Sequence, residues 1–158
     1  MHNTKIDIAK GKREKIVAIL NQRLADASDL KSQAKQAHWN VKGMNFIALH
    51  ELFDRVATEL DPIVDDIAER VTTLGGTAVG TVRAAAQNST LAEYPLEITD
   101  GPDHVEALSN VLADFGKKVR ADIDATDELG DADTADLFTG VSRSIDKLLW
   151  FVEAHIQS

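Results

Sequence analysis

The sequence predicts an all-α protein: a bundle of four long helices in which one long crossover joins the second helix to the third. Three observations predict it. Only three prolines occur in 158 residues, and Ala, Leu, Asp, Glu and Lys dominate, which suits helix interiors better than strands. Apolar residues recur at helical spacing in four separate stretches. Between the second and third stretches, residues 75–100 lack that period, and they are far longer than a usual helix–helix turn.

The first helix is expected from Arg13 to Val41, with Leu20, Leu24, Ala27, Leu30, Ala34 and Val41 at helical spacing and Gly43 in the break after it. The second runs from Asn45, its candidate N-cap, to Leu74, where Gly75-Gly76 supplies positive φ, and Pro62 kinks it slightly. The crossover is punctuated by Gly80, Asn88, Ser89 and Pro95, with a short helix at Val82–Gln87. Gly101-Pro102 opens the third long helix, carrying Val105, Leu108, Leu112, Phe115 and Val119 to Leu129-Gly130. Asp133 caps the fourth, with Leu137, Val141, Leu148 and Val152. A single crossover between helices 2 and 3 is the ferritin-like topology rather than up-down-up-down. The domain layout is therefore a flexible basic tail over residues 1–12 and one bundle domain over 13–158, long enough to bury a sizeable core unaided.

The chain has no cysteine, which excludes a disulfide framework, thiolate chemistry and Cys-ligated zinc or iron–sulfur centres. A transition metal would have to use imidazole and carboxylate. No apolar run approaches the length of a membrane span and the N-terminus has no hydrophobic signal region, so a cytoplasmic location and no membrane partner are expected.

On the second helix, His50, Asp54, Asp65 and Glu69 form two i, i+4 pairs. With His50 at 0°, a rotation of about 100° per residue puts Asp54 near 40°, Asp65 near 60° and Glu69 near 100°. The apolar residues from Leu49 to Leu74 fall at roughly 200° to 320°, so the four ligand types face away from the core. Asp54 and Asp65 are about 16.5 Å apart along the axis, whereas ligand atoms sit about 2.0–2.2 Å from a first-row metal. One helix cannot close this site. The midpoint of 50 and 69 is 59.5, and so is that of 54 and 65. An antiparallel copy crossing near Glu59 and Leu60 would set His50 against Glu69 of the other chain and Asp54 against Asp65, as an isologous two-fold requires.

Several runs carry a family resemblance: Gln36-Ala37-His38-Trp39-Asn40-Val41-Lys42-Gly43, Phe46, His50-Glu51 and Asp54, Asp65, Ala68-Glu69-Arg70, Leu74-Gly75-Gly76, Tyr94-Pro95-Leu96, Asp133-Thr134-Ala135-Asp136 and Asp146-Lys147-Leu148-Leu149-Trp150-Phe151. Together they resemble the Dps family of mini-ferritins over all but about the first fifteen residues. The resemblance implies a hollow homododecamer built from two-fold dimers. It would oxidise Fe²⁺, with hydrogen peroxide preferred over dioxygen, and store the ferric product as mineral, protecting the cell and its DNA. It also implies a ferroxidase site at the two-fold, with His38, His50 and Asp54 from one chain and Asp65 and Glu69 from the other. Spacing alone gives no reason to join His38, on another helix, to the four. Iron is the metal the resemblance calls for.

The resemblance places three-fold cation pores at the acidic segment Asp127–Asp136, with Asp136 and Asp131 favoured, then Glu128; helix N-terminal acids complementing the macrodipole are the alternative, and that is the reading for Asp133. Glu51 is a candidate for mineral nucleation. Trp39 could intercept stray oxidising equivalents or simply pack at an interface, and Trp150 is expected in core or interface. His2, His104 and His155 have no partner at metal-ligand spacing. Residues 35, 47, 101 and 152, three before His38, His50, His104 and His155, are not Glu, so the Glu-x-x-His motif of an intra-bundle diiron centre is absent. A nucleoid protein acting by DNA binding is the competing function, through Lys5, Lys10, Lys12 and Arg13. Residues 1–15 hold five basic and two acidic side chains, a net +3 in a chain of −9, so the remainder carries −12. That charge repels phosphate everywhere except at the tail.

Overall fold

The structure, a computed structural model, describes residues 1–157, and over these it contains five helices and no strand. They are α1 (Lys10–Asn40), α2 (Phe46–Thr73), the short α3 (Val82–Asn88), α4 (Gly101–Glu128) and α5 (Ala132–Glu153). The four long helices form the bundle. α1 packs chiefly on α2 and α4 on α5, while α3 lies against α1. Leu20, Leu24, Leu30, Phe53, Leu60, Leu108, Phe115 and Phe138 are all but sealed from solvent in a single core. Expected boundaries hold to within three residues. Pro62 sits inside a helix that continues past it.

Between the paired glycines the expected backbone freedom belongs to Gly75 alone, at φ 83°. A Cβ there would stand 2.6 Å from the carbonyl oxygen of His2. Gly76 is required for space instead, because a Cβ would press Val17 and Val71 at 2.7 to 2.9 Å. The contact at Gly75 bears on the N-terminus. His2 N–H donates to Gly75 O at 2.6 Å, Ile6 and Ile8 pack on the core, and residues 10–12 already belong to α1.

The crossover is tied to α1 by polar side chains. Asn21 accepts from Val79 N–H at 2.9 Å, Asp26 accepts from Thr90 N–H at 2.6 Å, and Gln33 donates to Ala92 O at 2.9 Å. Asp26 is fully buried and pairs with Arg23 at 2.6 Å, which also reaches Asp122 of α4 at 2.7 Å. Burial pushes the Asp122 carboxyl up to about 6 against the opposing pull of Arg23. These bonds satisfy main-chain groups that a long connection would otherwise leave without partners.

Candidate metal centre

α1 and α2 meet at their connected ends, and there His38 and His50 stack with ring centroids 3.7 Å apart and planes inclined by 22°. Each is fixed by the other's main chain. His38 Nδ1 lies 2.7 Å from His50 O, and His50 Nδ1 lies 2.8 Å from His38 O. A carbonyl oxygen only accepts, so both rings carry a proton on Nδ1, and in the neutral rings both Nε2 atoms keep the lone pair a metal needs. Phe46 tilts against His50 at 5.1 Å and limits its rotation.

Asp54, one turn beyond His50, is paired with Lys35 at 2.7 Å. The hydrogen bond from Lys35 holds its carboxyl below the usual carboxylate range, slight desolvation opposes this, and both histidines add to the lowering. Sequence reasoning missed Lys35. The available signal was its position three residues before His38, on the same helix face. The ammonium also lies 5.6 Å from the Trp39 ring.

Asp65 and Glu69 are exposed on the same outward face of α2 as His50 and Asp54. They do not join the histidines within one chain: among the described residues no three His, Asp or Glu side chains converge. Glu51 is exposed beside His50. Trp39 is 66% exposed and Trp150 59%, so Trp150 is not a core residue; it leans on Phe151 at 5.0 Å.

The acidic segment corrects two expectations. Asp131, expected to line a pore, is 2% exposed. Its Oδ1 accepts from Thr134 N–H at 3.1 Å and from Arg70 Nη2 at 2.7 Å, so it, and not Asp133, is the N-cap of α5. Asp133 is exposed, 3.9 Å from Arg70. Glu128 and Asp136 face solvent. Arg13 is also corrected as a DNA contact. It is 7% exposed, and its guanidinium donates to Ile8 O at 3.0 Å and Leu74 O at 2.7 Å; a cation buried in this way has no face for a phosphate. Lys5, Lys10 and Lys12 are exposed.

Comparison with known proteins agrees with this architecture. The family model of the ferritin-like domain matches residues 17–158. The chain is 47% identical over 156 residues to the DNA protection during starvation protein of Agrobacterium fabrum, covering 99% of this chain and 96% of that one. Among solved structures, the tetragonal form of Mycobacterium smegmatis Dps superposes with a TM-score of 0.94 at 30% identity, covering 99% of this chain and 96% of that one. DpsA14 from Streptomyces coelicolor does so at 0.93 and 33%, covering 98% and 92%.

Proposed function

We propose, for a chain that belongs to the Dps family of ferritin-like proteins, that it is a mini-ferritin whose substrate is Fe²⁺. It oxidises Fe²⁺ at sites shared between two copies, preferring hydrogen peroxide to dioxygen, and stores the ferric product in a hollow dodecamer. The observation that carries this reading is the stacked histidine pair, whose Nδ1 atoms are both occupied and whose Nε2 atoms are both free, beside the Asp54 carboxylate. Imidazole suits ferrous iron and carboxylate suits ferric iron. The partner's Asp65 and Glu69 would complete the set across the two-fold, and the groove bordered by Lys35, Trp39, Val64 and Val82 offers the apolar surface a second copy would cover. Lys35 holds Asp54 until an arriving Fe²⁺ displaces it.

Two Fe²⁺ ions reducing one peroxide give two Fe³⁺ and two hydroxides without releasing hydroxyl radical. That stoichiometry is the protective element of the activity. Exposed Glu128 and Asp136 draw Fe²⁺ inward at the three-fold, and Glu51 offers a carboxylate to the growing mineral. The protein acts in the cytoplasm, and among the described residues no helix is long and apolar enough to cross a membrane. DNA contact through Lys5, Lys10 and Lys12 is secondary, because the segment bearing them is held at His2 and Ile8. Stopped-flow absorbance of ferric product tests the function: peroxide should oxidise Fe²⁺ far faster than air, and His38→Ala/Asp65→Ala should abolish the difference. Equal rates in wild type and variant would refute the assigned site.

A further inference from the structure

We propose that Tyr94 and His104 form a proton-coupled redox pair that takes up oxidising equivalents escaping the iron chemistry. Tyr94 is the sole tyrosine of the chain. It is 9% exposed and His104 is 1% exposed, and the phenol oxygen lies 2.6 Å from His104 Nδ1. Their rings lie nearly parallel, at 19° and 6.0 Å between centroids. Nε2 of His104 is closed to solvent as well. Packing alone would be served by a phenylalanine; this hydroxyl instead faces an imidazole that is buried from bulk water.

The pair also sits close to the candidate metal centre. The Phe53 ring, next in sequence to Asp54, lies 6.3 Å from the His104 ring. Burial holds His104 neutral at rest, against the opposing pull of the Asp103 carboxylate and of the main chains of Asn40, two residues after His38, and Ile98. Burial also pushes the Tyr94 phenol up, so the proton stays on oxygen until an electron leaves.

The step balances with a hydroxyl-radical-class oxidant, formed when one Fe²⁺ reduces peroxide without a second. One electron passes from the Tyr94 ring and converts hydroxyl radical to hydroxide. The phenolic proton crosses to His104 Nδ1, leaving a neutral tyrosyl radical beside imidazolium. A later Fe²⁺ returns the electron, becoming Fe³⁺, and the proton returns to oxygen. This use of the pair rests on the ferroxidase reading; its capacity to give up an electron does not.

The test therefore has two arms on the assembled full-length protein. Metal-free protein is flash-oxidised with a ruthenium(II) polypyridyl complex and persulfate and followed by electron paramagnetic resonance and transient absorbance. A tyrosyl signal is expected in wild type and its complete loss in Tyr94→Phe. Its formation should slow in D₂O and, in His104→Gln, should be about 10²-fold slower or more, the lower end of what a positioned proton acceptor contributes. Tryptophan radicals alone in wild type, or a tyrosyl radical formed at the same rate in D₂O, would overturn the pair without needing the His104 variant to fold. In the second arm, Fe²⁺-loaded protein is freeze-quenched after substoichiometric peroxide. The tyrosyl signal should appear in wild type, and rapid ferric formation without it would overturn the proposed use. Ferric product no faster than in protein-free buffer would instead overturn the ferroxidase reading, and the flash arm still decides the pair.

Discussion

Replacing Asp131 by alanine removes a hydrogen bond from the Thr134 hydroxyl, the N-cap bond and an ion pair, and the last two set the scale of the loss. The N-cap hydrogen bond to Thr134 N–H is lost, at about 1 kcal/mol. The ion pair with Arg70 is lost too, and the Arg70 side chain is only 15% exposed. Stranding a buried partner costs about 3–5 kcal/mol. Here the lower end applies, because exposed Asp133 at 3.9 Å can turn toward the orphaned guanidinium. The sum is about 4 kcal/mol. For a chain of this length, at about 2–4 °C per kcal/mol, it corresponds to a fall of about 8–16 °C in Tm. Asp131→Asn keeps a good capping side chain and loses only the charge, so it should fall between alanine and wild type. Thermal unfolding by circular dichroism at matched protein concentration reads both. A shift under about 2 °C for Asp131→Ala, combined with slowed iron uptake, would refute the structural role and return Asp131 to the pore.

Asp136→Asn should do the opposite: it removes charge from an exposed position, leaves Tm within about 2 °C of wild type, and slows mineralisation at low ionic strength. Unchanged uptake kinetics would mean that iron enters elsewhere. The pH dependence of stability contains a contribution from His104, whose burial holds it below the ordinary histidine value of 6.5. As pH falls below that value the unfolded chain gains a proton there and the folded chain does not, so stability falls with falling pH. His104→Gln should flatten that slope in denaturant midpoints measured from neutral to mildly acid pH, and an unaltered slope would place its origin in other groups.

The long helices were legible because burial repeats at helical spacing; the stripe from Leu49 to Leu74 is the buried face of α2, with only Leu52 and Val64 partly exposed. What was misread turned on partners distant in sequence. Asp131 and Asp133 are equally good N-caps by local rules, and the choice between them is made by Arg70, some sixty residues earlier. Arg13 reads as part of a basic tail until Leu74 O, 61 residues away, accepts from it. Asn21, Asp26 and Gln33 carry no motif or periodic signal in the sequence, yet they hold the crossover. At the metal centre, the outward face of His50, Asp54, Asp65 and Glu69 follows from helix geometry. His38 does not, since its nearness to His50 depends on how α1 turns into α2 at Gly43. For Lys35 the only signal is its place three residues before His38, and a lysine on a charged helix has no periodic signature to single it out.

The central claim is that each chain lends half of every ferroxidase site to its two-fold partner, and trans-complementation measures it. One variant lacks His50 and Asp54; another lacks Asp65 and Glu69. Each alone should be nearly inactive. In a mixed dimer one site collects both defects, while the other combines the intact half of each chain. Ferrous oxidation by purified, doubly tagged mixed assemblies should return to about a quarter of wild type if chains pair at random and sites act independently. Activity no higher than that of the two parents would contradict the shared site.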